Sequence, residues 1–433
     1  MRWRVKCKTG PELALDHSSD CEINMRSTYI RFIFATLGAF IYLPSQAEID
    51  EALLGKARSY PAAPSLAQAG SNEFIVWTNS GGYESLMPFK TIKPGTPIRL
   101  SSSEKPSPVA YEFLGKTLSL KDYLSHRRVT SLLIMKDGVI HHEHYQYERN
   151  DRHRFNSASM GKSVLGLLIG LAIQDGAIQS VDDLAVKYIP DIKGTSFEKV
   201  TIKHLLTMST GLAWSEGTAA GAQYIKMLNI MGQTGGLDVV LGFKDNQVLA
   251  EPGTSYFYSS LDSEVLGRVL AAAVKKNVAA YLEEKIWKPM GAESQASWYT
   301  DRQGVERTHC CLGATTRDFA RIGALLANQG HWNGKQIIPT QWLKEMTTLH
   351  GEHLRKVAID REPRMGYGYH IWLMAPNQIA LRGHRGQVIF VDQLNKIVMV
   401  QTAVYGPAPN AMTNFPELDA LWAGVVTSLS RPQ

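Results

Sequence analysis

Ser159-Met-Gly-Lys-Ser-Val-Leu-Gly-Leu-Leu-Ile-Gly-Leu-Ala-Ile173 is apolar on nearly every face and runs on to Asp175-Gly176. A helix that is apolar all round is a buried one. The segment is therefore expected at the centre of the fold, with Ser159 at its N-terminal end. Ser159 and Lys162 stand at i and i+3, which on a helix sets the ammonium beside the hydroxyl. A serine hydroxyl is a poor nucleophile until a neighbouring base or a positive field activates it. Desolvation and the positive end of the helix both push the lysine pKa down, which makes Lys162 a candidate base. By itself the pair is short enough to recur by chance, as a capping serine beside a snorkelling lysine.

Upstream of this helix, Ser131-Leu-Leu-Ile-Met135 and Val139-Ile140 flank Lys136-Asp137-Gly138 and read as a strand pair closed by a D-G turn. Downstream, helices are expected at Ile202 to Met208, closed by Gly211, at about Asp262 to Lys275, and at Thr316 to Asn328. The last opens on a capping-box-like Thr315-x-x-Asp318 and stops at Gly330. Val388 to Val391 and Ile397 to Thr402 read as paired strands. Strands at both ends with helices between them predict one antiparallel sheet built from N- and C-terminal segments, with an inserted helical region. Residues 48–115, rich in Pro, Ser, Ala and Gly, read as an irregular arm, and 116–433 as the main domain.

Two further segments carry chemistry. Glu251-Pro-Gly-Thr-Ser-Tyr-Phe-Tyr-Ser-Ser-Leu-Asp262 holds Tyr258-Ser259-Ser260 ahead of a helix, and Gly383-His-Arg-Gly-Gln387 leads into an apolar strand. Taken with Ser159-x-x-Lys162, the set resembles the three-motif serine hydrolases: class C β-lactamases, DD-peptidases and related esterases. Their motifs run S-x-x-K, Y-x-N, then K-T-G or H-x-G. Val181-Asp-Asp-Leu with Lys187-Tyr-Ile-Pro190, Thr201 to Leu212 and Gly313 to Arg321 resemble the same family, so that the likeness covers roughly residues 118 to 430. Within it, Tyr-x-Ser-x-Asp resembles the branch that includes 6-aminohexanoate-dimer hydrolase and β-lactamase-fold esterases.

The resemblance implies an α+β fold, an α/β/α sandwich of the β-lactamase/transpeptidase type. It implies a catalytic Ser159, with Lys162 and Tyr258 sharing the base and acid roles in either order, and an oxyanion hole from the backbone N–H groups of Ser159 and Gln387. It implies hydrolysis of a small-molecule amide or ester through an acyl-enzyme, with no cofactor and no metal. Two departures bear on substrate. Ser260 stands where the family has an amide side chain, and His384 stands where it has a lysine; both make penicillin turnover less expected than ester or linear-amide hydrolysis. If the third motif is an alternating strand, His384 and Gly386 share one face and Arg385 points to the other. Ser260, His384, Gly386, Trp214 and Tyr367 are the candidate substrate-binding residues, with core packing the competing role for the aromatic ones. The alternatives are a β-lactamase or DD-peptidase acting on β-lactams or cell-wall peptides, and an acylatable receptor without turnover.

Composition narrows the field. Over 433 residues, 44% hydrophobic and 20% charged is globular, and the net charge of +6 is not gathered into a basic block, so no nucleic-acid partner is expected. Arg26 and Arg31, the apolar run Phe32 to Leu43 and the small residues Ser45 and Ala47 follow the order of a secretory signal peptide over 25–47. Twelve apolar residues are too few for a ~30 Å bilayer core. The protein is therefore expected to be exported, periplasmic or secreted, without a membrane span after cleavage, and residues 1–24 read as a gene-model extension. Cys310 and Cys311 are adjacent, which is awkward for a disulfide; two small buried thiols are expected, against a redox or metal role with His309. His142 and His144 share a strand face without further ligands in view, and surface or hydrogen-bonded roles are expected for them.

Overall fold

The first strand of the protein comes from the segment expected to be irregular. A computed structural model describes residues 49–217, 221–355, 358–359, 362–363, 365–406 and 415–430. The segments read as extension and leader, 1–24 and 25–47, lie outside the described residues. β1 (Phe89–Ile92) buries only Ile92 fully and pairs antiparallel with residues 296–299. Four residues of mixed polarity carry too weak an alternation to be read as a strand from sequence, and the pairing is supplied by a partner some two hundred positions away.

The predicted hairpin forms as β2 (Val129–Lys136) and β3 (Val139–Tyr145). Asp137 and Gly138 have φ of 49° and 82°, the two positive values that a twisted two-residue hairpin requires. A short β4 (Phe155–Asn156) delivers the chain to α1 (Met160–Gln174). The inserted helical region follows with α2 (Ile202–Leu206), α3 (Gln223–Gln233) and α4 (Ser260–Val274). Next come β5 (Ala296–Tyr299), β6 (Leu312–Ala314) and α5 (Thr316–Ala327), the last capped as expected by the Thr315 side chain, which accepts from the Asp318 N–H. The chain returns through β7 (Gly366–Tyr367), β8 (Trp372–Ala375), β9 (Gln378–Gly383), β10 (Gln387–Asp392) and β11 (Ile397–Ala403) and ends on α6 (Phe415–Ser430). Helix α2 is shorter than the sequence suggested, because Met208 turns left-handed at φ 54° and leads the chain out of the helix before Gly211.

Seven strands form one antiparallel sheet in the order β7-β8-β9-β10-β11-β2-β3. The two ends of the sequence meet at β11–β2, with Ile397 opposite Lys136 and Val400 opposite Leu133. Alternation along these strands divides the apolar side chains between two cores. Leu133, Met135, Leu381, Ile389 and Val398 belong to the core shared with α1 and α5, whereas Leu132, Ile134, Phe390 and Met399 pack with Leu418, Leu421 and Trp422 of α6. The Trp422 and Phe390 rings stack at 5.2 Å. The result is the expected α+β architecture, helices on both faces of a sheet. A second sheet, β1-β5-β6-β4, flanks the entry to α1. Among the described residues no helix is long and apolar enough to cross a membrane.

Helix α1 is buried from Met160 to Ala172, as its all-round apolarity requires. Helix α5 lies so close to the sheet that a Cβ on Gly323 would stand 2.4 Å from Val398 Cγ1 and 3.0 Å from Ile389 Cγ2. Gly323→Ala should therefore destabilise the fold by about 1–3 kcal/mol through overpacking. Gly232→Ala on α3, where nothing lies within 4 Å of the added methyl, should instead stabilise it by about 0.5–1 kcal/mol. Urea unfolding of both variants checks the pair; equal midpoints would refute the close approach of α5 to the sheet.

Candidate active site

Ser159 sits where β4 turns into α1, in the N-cap position of that helix. Two bonds fasten the approach: Ser157 donates its N–H to the Leu312 carbonyl at 2.8 Å, and the Leu312 N–H donates back to Ser157 Oγ at 3.0 Å. Between them and Ser159, Ala158 holds a left-handed φ of 43°, a conformation that costs an alanine roughly 1–2 kcal/mol. One turn into the helix, Lys162 is only 1% exposed. Its Nζ lies 3.1 Å from Ser159 Oγ, 3.3 Å from Ser260 Oγ and 2.6 Å from the carbonyl of His309.

Burial pushes the Lys162 ammonium down to about 8, against the opposing charges of Glu216, Glu264 and Asp262. The three contacts define what the neutral amine can do. Donating its two hydrogens to the His309 carbonyl and Ser260 Oγ leaves its lone pair for the Ser159 hydroxyl.

Tyr258 approaches from the segment that precedes α4. Its ring stacks on Trp372 at 5.9 Å and meets Tyr367 edge-on at 6.4 Å, and Lys162 Nζ stands 5.1 Å from its centroid. The segment is braced by the chain leaving α2: the Phe257 N–H donates to the Met208 carbonyl at 2.9 Å, and the Ser259 N–H points at Met208 Sδ. Burial pushes the Tyr258 phenol well above its ordinary value, and the hydrogen bond with Ser159 offsets only part of that.

The third motif is not the alternating strand assumed from sequence. His384–Gly386 form a tight turn between β9 and β10, with Arg385 at φ 63°. Arg385 is held there by its guanidinium, which donates to the carbonyls of Tyr405 (3.3 Å) and Gly70 (3.1 Å). His384 is exposed at the rim, while Gly386 is buried where a Cβ would strike the Tyr405 ring. At φ 89°, with the Tyr405 ring where a side chain would stand, this position in the turn requires glycine. Gln387 turns its amide to the end of β11, where Nε2 donates to the Ala403 carbonyl at 2.6 Å and Oε1 accepts from the Ala403 N–H at 3.1 Å. With that side chain committed, only its backbone is left to serve a substrate. A Cβ on Gly383 would stand 2.4 Å from the Ser157 carbonyl, so the end of β9 is pressed against the residues that lead into Ser159.

The remaining expectations divide. Trp214 is half-buried, donates Nε1–H to Glu216 Oε1 at 2.8 Å and meets the Phe243 ring edge-on at 5.6 Å. Tyr367, expected on the cleft wall, is 1% exposed and backs the Tyr258 ring instead. Ser260 is buried and belongs to the lysine's contacts.

Glu216, given no role by the sequence, accepts from the Ser260 N–H at 2.5 Å at the start of α4. Carboxylates are favoured at helix N-termini, and Trp214-Ser-Glu216 close after a glycine stop was the signal available. Deeper in, burial pushes the Asp262 carboxyl up to about 8 despite bonds from Ser259 and Thr210. Burial also acts on Glu264, but bonds from His309 and the charge of Arg268 outweigh it and hold that carboxyl at about 2. Cys310 and Cys311 are joined as a vicinal disulfide in the loop that carries the His309 carbonyl, which corrects the expectation of two free thiols. His142 and His144 stack at 6.1 Å, and His142 Nε2 bonds the Ser107 carbonyl.

Comparison with known proteins places this geometry. The family model described as Beta-lactamase matches residues 120–411. An uncharacterised protein of Alkalihalophilus pseudofirmus is 27% identical over 214 residues, 45% of this chain and 55% of its own length. The 6-aminohexanoate-dimer hydrolase of Paenarthrobacter ureafaciens is 20% identical over 243 residues, 52% of this chain and 59% of its own. The chain thus spans a little over half the length of these curated relatives. A solved Bacillus anthracis protein described as a candidate 6-aminohexanoate-dimer hydrolase superposes with a TM-score of 0.74 at 21% identity, over 86% of this chain and all of that one. EstCE1, a hydrolase with promiscuous acyltransferase activity, superposes at 0.58 and 17% identity, over 70% and 96%.

The electrostatics around Lys162 can be read without any substrate. Its side-chain nitrogen, followed by heteronuclear NMR, should titrate near 8 and not near 10.5. Glu216→Gln should move the midpoint lower, because the carboxylate stabilises the ammonium. A midpoint at the ordinary lysine value, or an upward move in the variant, would overturn this picture of the site.

Proposed function

Because the chain belongs to the beta-lactamase family, we propose that it is a serine hydrolase that cleaves esters or linear amides of small molecules through an acyl-enzyme on Ser159. The observation that carries this reading is the Lys162 Nζ at 3.1 Å from Ser159 Oγ, with its other two contacts already satisfied. As the substrate carbonyl enters, Ser159 Oγ attacks and its proton passes to neutral Lys162. The negative charge that grows on the carbonyl oxygen falls to the backbone N–H groups of Ser159 and Gln387. Donors in such positions contribute roughly 3–4 kcal/mol each in acyl transfer.

The acid–base division follows from the same burial. A buried group resists its charged form, so the amine is readily neutral and the phenol stays protonated. Lys162 is therefore the base of acylation, and Tyr258 the acid that protonates the leaving alkoxide or amine. In deacylation the acyl group is attacked by water, with proton transfer running through the same pair in reverse.

The charge of the cleft favours this substrate class over penicillins and cell-wall peptides. Those ligands present a carboxylate, and the cations of the third motif are poorly suited to it: His384 is an exposed imidazole and Arg385 is committed to backbone carbonyls. Glu216 adds a negative charge beside Ser260, which contacts Lys162. The β-lactamase or DD-peptidase reading and the receptor without turnover remain the alternatives. Export rests on the residue pattern at 25–47, and the mass of the protein recovered from its host should begin at residue 48.

Brief exposure of the enzyme to an activated ester, an aminohexanoate dimer and a penicillin, followed by intact mass, ranks these readings. A transient adduct with free product is expected for the ester or the dimer. A lasting adduct without product would favour the receptor. Ser159→Ala should remove the adduct and lower turnover by about a thousandfold or more, and substantial residual activity would overturn the assignment. The wild-type acylation rate should rise with pH through an inflection near 8, because the base must lose its proton before it can accept one. Tyr258→Phe should depress kcat far more than it raises KM, whereas a pure KM effect would make Tyr258 a binding residue.

A further inference from the structure

Three consecutive side chains behind the catalytic lysine converge on one another. One ring nitrogen of His309 and the sulfurs of Cys310 and Cys311 all lie within 4.8 Å of each other. Neighbouring side chains on an extended backbone point to opposite faces. Here Cys311 adopts a left-handed φ of 79°, which breaks that alternation. The loop is held from several sides: the Cys311 N–H donates to the Ala158 carbonyl at 3.3 Å, and the Cys310 carbonyl accepts from Trp298 Nε1–H at 3.0 Å.

His309 is prepared for a ligand. It is 2% exposed, and its Nδ1 lies 2.7 Å from Glu264 Oε1, while Arg268 donates to the other Glu264 oxygen at 2.8 Å. A carboxylate at Nδ1 fixes the hydrogen there and turns the Nε2 lone pair outward. That Nε2 is buried and has no hydrogen-bond partner among the described residues. A carboxylate that orients an imidazole from behind is the usual outer support of a metal-bound histidine.

We propose that in the reduced protein His309, Cys310 and Cys311 form a site for a soft d10 cation such as Zn²⁺, Cd²⁺ or Cu⁺, adjoining the catalytic lysine and inhibitory to it. Soft thiolates select such ions. A divalent ion with two thiolates is neutral, the form that a buried position tolerates best. Ligand atoms of a tetrahedral zinc site are roughly 3.5–3.8 Å apart, so after reduction the two sulfurs have to separate by roughly 1.7 Å from disulfide bonding distance, while the ring nitrogen, already within 4.8 Å of them, closes by at most about 1 Å. The disulfide and the metal exclude each other, since both use the two sulfurs. Reduction by a phosphine breaks the S–S bond: the sulfurs gain two electrons and two protons and become thiols, and the phosphine becomes its oxide with oxygen from water. Metal binding then releases the two thiol protons. Catalysis is affected because the His309 that would supply the ring nitrogen also supplies the carbonyl that holds Lys162 Nζ at 2.6 Å.

The test uses the full chain, treated with tris(2-carboxyethyl)phosphine and titrated without oxygen with Cd²⁺ alone. The thiolate-to-cadmium ultraviolet band should rise to one equivalent beyond that of the Cys310→Ser, Cys311→Ser double variant, which keeps Cys7 and Cys21. Glu264→Gln, which leaves all three donors in place, should weaken the affinity by about ten- to a hundredfold. Near-ultraviolet circular dichroism verifies that each variant is folded. Cadmium should lower ester turnover of the reduced wild type, and a chelator should restore it. Equal cadmium uptake by the reduced wild type and the folded double variant would overturn the site. An affinity unmoved in folded Glu264→Gln would overturn the part given to His309. Both readouts are of binding, so they stand whatever substrate the enzyme takes.

Discussion

A lysine amine buried one turn into a helix that water does not reach is the constraint on which the rest of the molecule depends. Such a group is tolerated only if every hydrogen finds an acceptor, and the acceptors of Lys162 come from three separate parts of the chain. Ser159 belongs to the same helix, Ser260 to the start of α4, and the His309 carbonyl to the loop before β6. The inserted helical region and the β5–β6 segment must therefore both dock on α1 before the lysine is satisfied. Packing and chemistry share one set of contacts.

Acidic groups surround the same lysine, and their placement is graded by depth. Glu264 is ionised because His309 and Arg268 hold it, Asp262 is pushed toward its neutral form by burial, and Glu216 stays at the surface. All three bind backbone N–H groups or other side chains, and none is among the hydrogen-bond partners of Lys162. Their effect on the amine is through space, which sets its proton affinity without occupying the lone pair that Ser159 needs.

The sequence was informative wherever structure is local. The all-round apolarity of 159–173 located the buried helix, the D-G pair located the hairpin, and Thr315 with Asp318 located the start of α5. The Ser159–Lys162 pair was visible because i and i+3 are neighbours on any helix. What could not be seen depends on contacts distant in sequence. β1 is a strand because of β5, Tyr367 is hidden because Tyr258 and Trp372 cover it, and Glu216 matters because α4 begins beside it. Residues 384–386 misled for a different reason: a strand period was extended through a turn, and Arg385 at φ 63° ends that period. The convergence of His309, Cys310 and Cys311 needed a single backbone angle that residue types do not encode.

The clamp on Arg385 has an effect beyond its own loop. Its two acceptors are the Tyr405 carbonyl, just past the last sheet strand, and the Gly70 carbonyl, in the segment that precedes β1. The N-terminal arm thereby acts as an electrostatic sink, holding a guanidinium at the flank of the cleft in a neutral bed of peptide dipoles. A chain that lost the arm would keep every group that makes and breaks bonds, yet it would release one positive charge beside the third motif. Selectivity between anionic and uncharged ligands in this scaffold can thus drift through changes in a segment that never touches the reacting atoms.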